Sequence, residues 1–314
     1  MRLQTIVTEY VRFKRSLGFK FYSNAHPLRA FCRAMGDIDI GAVRPAAARD
    51  FIVGRRVATS YCRRKFAILR TFYRYAVARR FVKRSPLPMN APAVRTQFSP
   101  YIYSTEELRR MIAATDMLHS PKSRLQARTM RMLLLLLYGT GLRIGEALAL
   151  NLKDVDLVER LLTVRDTKFF KSRLVAIGPV LAEKLGQYLR ERKMLPLPRG
   201  FQSSVFATRN GNRLAYNSAL KLFHRVRRAA IVKRESSAQH QPRLHDIRHT
   251  HATHRLVAWY RTGADVQTLL PLLSTALGHK DLASTQRYLS MTTDLLQQAG
   301  KRFERYACQG EQHA

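Results

Sequence analysis

The sequence predicts a mainly α-helical chain in two domains, with a small antiparallel β-sheet in the C-terminal domain. Three observations carry that prediction. Apolar residues recur at helical spacing from the N-terminus to residue 84. A stretch with four prolines and no periodicity, residues 85–100, follows and reads as a linker. Beyond it the helical pattern is interrupted by three short alternating or β-branched runs, at 152–157, 161–166 and 173–177.

In the first domain, Ile6, Tyr10, Phe13 and Leu17 form a helical stripe ahead of Gly18. A second helix is expected from about Pro27 to just before Gly36, and a short third over 46–53. The fourth carries the clearest pattern, an apolar stripe of Cys62, Phe66, Leu69, Tyr73 and Val77. Arg63, Arg70 and Arg74 fall opposite it, within about 40° of one another at 100° per residue. A basic face backed by an apolar one suits a helix laid along DNA. The second domain, over 101–314, opens at Ser104-Thr105-Glu106-Glu107, a capping-box pattern. Met130 to Tyr138 reads as a buried helix, which Gly139-Thr140-Gly141 is expected to break. Arg143 to Leu150 reads as the next helix. The sheet then follows, with a tight connection carrying Lys168, Lys171 and Arg173, and the chain after about residue 181 is helical again.

Lys and Arg number 56 against 21 Asp and Glu, a formal net charge of +35 over 314 residues. An excess of that size attracts polyanions, and double-stranded DNA is the expected partner. The charge is not a tail. Residues 1–100 hold 21 Lys and Arg against 4 Asp and Glu, a net +17, and the remainder carries the other +18. Both domains should therefore meet the same polyanion, as two lobes of a clamp. Cys32, Cys62 and Cys308 are odd in number and far apart, which argues against a disulfide framework and a structural zinc, and fits a reducing, cytoplasmic compartment. The N-terminus lacks the apolar stretch of a signal peptide, and the aliphatic run Leu133–Leu137 is too short to span a bilayer. No membrane association, cofactor or metal is expected.

Cutting DNA without metal or nucleotide needs a nucleophile, cations on the non-bridging phosphate oxygens and a proton for the leaving 5′ oxygen. A tyrosine serves as nucleophile because a phosphotyrosine keeps the phosphodiester energy for religation. Arginines grip phosphate oxygens in a planar fork, a lysine can deliver the proton, and histidines move protons near neutral pH. The chain holds these groups in the order Gly141-Leu142-Arg143-Ile144-Gly145-Glu146, Lys168, His245-Asp246-Ile247-Arg248-His249, and Leu277-Gly278-His279 with Tyr288 nine residues beyond. That ordered set resembles the tyrosine recombinases, the phage-integrase-type site-specific recombinases. The resemblance covers roughly 100–290 through specific motifs, and 1–85 only through helical architecture and charge.

The resemblance implies a helical core-binding domain over 1–84 and a recombinase catalytic domain over 101–314, closing as a clamp on duplex DNA. It implies Arg143, Lys168, His245, Arg248 and His279 as catalytic residues, Tyr288 as the nucleophile and Glu146 as a supporting carboxylate. DNA contacts are expected from Arg63, Arg70, Arg74, Lys171 and Arg173. It further implies a metal- and ATP-independent strand transferase working as a tetramer, of this chain alone or mixed with related recombinases, on paired sites of bacterial, nucleoid-associated DNA. A tail helix over about 293–307, with Leu295, Leu296, Ala299 and Phe303, would dock on a neighbouring subunit or pack in cis. Two rival readings stay open at this stage: a type IB topoisomerase-like relaxing enzyme and a catalytically silent DNA-binding regulator.

Two departures from the family pattern stand out. His251 occupies a position where the family usually has an aromatic. The segments from His254 to Gly263 and from Gly263 to Gly278 each run longer by about one helical turn of 3.6 residues. They are expected to form a protruding helical hairpin around Thr262–Asp265, with an apolar seam of Trp259, Tyr260, Leu269, Leu270 and Leu273.

Overall fold

A computed structural model describes residues 1–54, 58–93, 100–119, 126–165, 172–234, 240–279 and 281–290, with Gln297 and Gly300 beyond. The chain divides into two compact units, Met1–Phe98 and Ser99–Ala314.

The first unit is built from α1 (Leu3–Ser16), α2 (Tyr22–Met35), α3 (Pro45–Val53) and α4 (Ser60–Ala78). Leu3, Ile6, Tyr10, Leu28, Phe31, Ile52, Phe66, Leu69, Phe72 and Tyr73 are buried between them. Arg63, Arg70 and Arg74 are exposed on α4, as the stripe opposite requires. Val77 lies outside the core at 37% exposure, and Ala76 takes its place. α2 starts five residues earlier than the sequence suggests, with Pro27 inside it. Proline cannot donate to the carbonyl four residues back. Here the Arg64 guanidinium donates to that carbonyl, Ser23 O, at 3.2 Å, so the helix survives the proline.

The second unit opens with α5 (Thr105–Ala113), whose Ser104 and Glu107 form the expected capping box. α6 (Gln126–Thr140) runs through Gly139 and ends only at Gly141, which has φ +65°. A Cβ at Gly139 would lie 2.6 Å from Leu181 Cδ2, so this glycine serves packing and does not break the helix. α7 (Ile144–Ala149) follows, with Arg143 as its N-cap. The strands are β1 (Val155–Asp156), β2 (Leu161–Val164) and β3 (Arg173–Ala176), antiparallel in that order, with Leu162 opposite Val175. Residues Leu152–Asp154, expected in the first strand, form a 3-10 turn instead. The Asp154 carboxylate accepts the Asn151 N–H at 2.9 Å, local side-chain chemistry that competes with strand pairing.

α8 (Pro179–Lys193), α9 (Tyr216–Ala229) and α10 (Asp246–Arg261) pack round α6, burying Leu133, Leu136, Leu137, Leu185, Phe223, Val226 and Ile247 together. A second cluster joins the C-terminal half of α10 to α11 (Val266–Leu277). These helices do form a hairpin around Thr262–Asp265. Its seam is Leu256, Val257, Val266, Leu270, Leu273 and Leu277, with Trp259 and Tyr260 at the margin, and Leu269 is outside it. The short α12 (Ala283–Gln286) and a 3-10 turn, Arg287–Ser290, carry Tyr288 back onto this cluster. The expected tail helix over 293–307 lies outside the described residues apart from Gln297 and Gly300. No helix among the described residues is long and apolar enough to cross a membrane.

Candidate functional site

The site is organised by the C-terminus of α11. Gly278 adopts the left-handed conformation there, and its N–H bonds Thr275 O while that of His279 bonds Ser274 O. Such a cap leaves the last carbonyls of the helix without backbone donors, at the negative end of its dipole. Three arginines fill that role. Arg173 Nε donates to Ala276 O at 3.1 Å, Arg248 Nη2 to Leu277 O at 2.7 Å, and Arg143 Nη2 to Gly278 O at 3.0 Å. The fold thus gathers three like charges by giving them carbonyl acceptors and one carboxylate.

That carboxylate is Glu146. It lies in the first turn of α7, where it accepts the Arg143 backbone N–H at 3.0 Å and Arg143 Nη1 at 2.9 Å. Its two oxygens also take a fork from Arg173, at 3.1 and 2.8 Å. Burial pushes its carboxyl pKa up, but the Arg173 and Arg143 hydrogen bonds and charges outweigh that and hold it below the ordinary value. Arg173 was expected in the hairpin among the DNA contacts. It is instead the first residue of β3, with its side chain only 13% exposed and its guanidinium turned inward. A Cβ on Gly278 would lie 2.8 Å from the Arg173 guanidinium carbon, so the glycine lets that cation approach the backbone. Lys168 and Lys171 lie outside the described residues.

Arg248 is 3% exposed and also donates Nη1 to Gly141 O at 2.7 Å, tying α10 to the end of α6. Burial, then the neighbouring Arg143, brings its pKa down to about 10, which leaves it charged at neutral pH. Arg143 is more open, with 42% of its side chain exposed. His245 is exposed at the start of α10, and its ring meets that of His249 edge-on at 5.0 Å. Partial desolvation of the imidazole, then Arg248 and Arg243, lower its pKa. His279 Nδ1 pairs with the buried Thr285 hydroxyl at 2.7 Å. Burial, Arg248 and Arg143 lower its pKa to about 4. The imidazoles of this site are therefore neutral near pH 7.

Tyr288 is 3% exposed. Its ring stacks on His279 with centroids 6.1 Å apart, and its hydroxyl meets His249 Nδ1 at 3.1 Å. The structure thus brings Arg143, Glu146, His245, Arg248, His279 and Tyr288 into one neighbourhood, and adds two residues the sequence reading left without a role there. One is Arg173 as a half-buried partner of Glu146. The other is His249, the group bonded to the tyrosine hydroxyl, with a pKa lowered to about 4 by burial and by His245. Its place beside Arg248 in the motif was the only signal available. Among the described residues, no group of three or more His, Cys, Asp or Glu side chains could hold a metal ion.

The chain has relatives among known proteins. A family model, the phage integrase family, matches residues 103–294. A Sinorhizobium fredii protein with a provisional integrase/recombinase name (y4rB) is 34% identical over 302 residues, which is 95% of this chain and 96% of that one. The tyrosine recombinase XerC of Oceanobacillus iheyensis is 30% identical over 301 residues, covering 93% of this chain and 92% of its own. In fold, the Tn1549 transposon integrase in complex with transposon right end DNA matches 98% of this chain and 100% of that one, at a TM-score of 0.70 and 16% identity. A lambda integrase tetramer bound to a Holliday junction matches 92% of this chain and 77% of that one, at 0.67 and 16%. With a family model over more than half of its length and a relative at 34% identity along nearly all of it, the chain belongs to the phage integrase family of tyrosine recombinases.

Proposed function

We propose that this protein is a site-specific DNA recombinase that cuts and rejoins duplex DNA through Tyr288. The observation that carries the reading is the convergence of Arg143, Arg248, His245, His279 and Tyr288 at the C-terminal end of α11. The Tyr288 oxygen attacks the scissile phosphorus as its phenol proton passes to one of the neutral imidazoles beside it, the bond to the 5′ oxygen breaks, and a 3′-phosphotyrosine forms. Arg143 and Arg248 balance charge on the non-bridging oxygens as it builds in the transition state. Lys168 supplies the proton for the leaving 5′ oxygen. His245 and His279, neutral at pH 7, contribute hydrogen bonds to the phosphate.

The same chemistry run backwards on a new 5′ hydroxyl joins exchanged strands, and two such exchanges pass through a Holliday junction. Neither step calls for a metal or ATP, because the phosphotyrosine stores the bond energy. Exchange between two duplexes needs a subunit for each of the strands cut, so a tetramer on paired sites, of this chain or mixed with related recombinases, is the working assembly. The tail over 293–307 is proposed to link its subunits, and the first unit to contact duplex phosphates through Arg63, Arg70 and Arg74. Integration, excision or transposition of a mobile element is the biological role proposed, on the lengthened segments between His254 and Gly278. A topoisomerase-like or silent DNA-binding reading draws no support from the family and its relatives.

The test is covalent trapping. Nicked duplexes tiled from the DNA flanking the gene are incubated with the protein and chelator, then run on a denaturing gel. An adduct that resists detergent with wild type, and vanishes with Tyr288→Phe, is the expected result. Tight binding of the same duplexes with no adduct from wild type would refute the reading.

A further inference from the structure

Arg248 does not reach across to α6 alone. His251 and His254 follow it at three-residue intervals on α10, and side chains so spaced share one side of a helix. All three touch the last turn of α6 and the residue after it. Arg248 Nη1 donates to Gly141 O at 2.7 Å, His251 Nδ1 meets Tyr138 O at 2.6 Å, and His254 Nδ1 meets the Tyr138 hydroxyl at 2.9 Å. Tyr138 is thus held at both poles, by its backbone carbonyl and by its phenol.

The His251 contact fixes a tautomer. A carbonyl only accepts, so Nδ1 carries the proton and donates. Tyr138 O is one of the last carbonyls of α6, and the helix stops too soon for it to receive the N–H of residue 142. That N–H turns instead to Thr140 Oγ1 at 3.3 Å. A half-buried carbonyl at a helix end takes a donor from outside the helix, and the imidazole is that donor. The opposite edge of the same ring lies against Gly141. A Cβ there would be 2.6 Å from His251 Cδ2 and 2.7 Å from Leu277 Cδ2. Gly141 is therefore clasped between α10 and α11, at φ +65°. Two residues later comes Arg143, whose backbone direction sets where its guanidinium points. Burial, the largest influence, lowers the His251 pKa to about 4, so the ring is a neutral donor near pH 7.

We propose that His251 is a positioning residue for the phosphate-gripping arginines: by capping Tyr138 O and bracing Gly141, it fixes the turn that carries Arg143 and that anchors Arg248. His254 extends the device by holding the Tyr138 ring. None of these side chains touches the reacting atoms in this scheme. The inference rests on the recombinase reading above, and deepens it by naming how the two arginines are held in mutual register.

The experiment compares wild type with His251→Phe and His251→Asn by the first-order rate of adduct formation on the trapping duplex, together with the Kd for that duplex and the thermal midpoint. Phenylalanine fills the space under Gly141 but cannot donate. Asparagine places its amide nitrogen where Nδ1 was, and can. The expected result is a cleavage rate down by about tenfold for His251→Phe, the scale of one lost hydrogen bond to a group that must stay aligned, with Kd within about twofold. His251→Asn is expected within about threefold of wild type in rate. A folded His251→Phe that cleaves at the wild-type rate overturns the proposal. If His251→Phe does not fold, His251→Asn decides: rescue supports the cap, and a loss of tenfold or more with DNA binding intact overturns it. Absence of adduct from wild type itself would instead refute the recombinase reading, on which the inference depends.

Discussion

Arg248 is 3% exposed and commits both guanidinium ends to carbonyls, Gly141 O and Leu277 O, each at 2.7 Å. Tyr288, as buried at 3%, sits in a short 3-10 turn with its hydroxyl on His249 at 3.1 Å. The two halves of the site are thus built in different ways. The arginines are fixed by helix-end carbonyls and by Glu146. The tyrosine is covered by protein, its ring on His279 and its hydroxyl on His249. Charge held in place by the protein suits transition-state stabilisation, which is effective when its groups need no rearrangement.

The sharpest way to break this comparison is Arg248→Lys. An ammonium is a compact point charge and cannot span two carbonyls on different helices as a planar fork does. We expect adduct formation to fall by about a hundredfold or more, the scale on which a single charge-stabilising group acts. The thermal midpoint should fall as well, since Gly141 O and Leu277 O each lose a donor. A lysine variant that cleaves within tenfold of wild type would mean that charge alone, and not the bridging geometry, is what the site needs.

Glu146→Gln is the next largest. It removes the negative charge shared by Arg143 and Arg173 while keeping the shape, and we expect about a tenfold slower cleavage together with a lower thermal midpoint, as breaking a buried ion pair leaves its partners uncompensated. The pH dependence carries its own sign. The native carboxyl titrates below its ordinary value of 4.5. Its stabilisation is therefore complete above that value and is lost as pH falls through the lower native pKa. The gap in thermal midpoint between wild type and Glu146→Gln should narrow below pH 4.5, and a gap that widens on acidification would contradict the ion-pair account.

The sequence shows the identity of these groups more clearly than their support. Arg143, His245, Arg248, His279 and Tyr288 can be read because the chemistry restricts the residue type at each place, and their order along the chain is distinctive. The platform cannot be read in the same way. Arg143 and Gly278 are 135 residues apart, and nothing local announces that three helix-end carbonyls will collect three arginines. Arg173 looked like a phosphate contact because a cation beside a hairpin has no label for which way it faces. Gly139 reads as a helix breaker, yet Leu181 is pressed against it within a continuing helix; Pro27 reads as a helix start, yet Arg64 donates to the carbonyl it orphans. In each case a long-range contact overrode a sound local rule.

The smallest expected effect separates two kinds of arginine that composition treats alike. Arg63, Arg70 and Arg74 lie exposed on α4, whereas Arg173 has its guanidinium on Glu146, Ala276 O and Leu277 O. An arginine that meets a phosphate releases counterions and steepens the salt dependence of binding by about one in log–log slope, and one already satisfied by protein does not. Replacing the three α4 arginines by alanine should therefore flatten the slope by about three, with the cleavage rate at saturating DNA little changed. Arg173→Leu should leave the slope as in wild type and slow cleavage, because Glu146 would then hold Arg143 without its second partner. The two variants thus exchange signatures. If Arg173→Leu flattened the slope by about one and left the rate alone, the inward-facing fork to Glu146 would have to open in the DNA complex, and the preassembled platform would be a property of the free protein only.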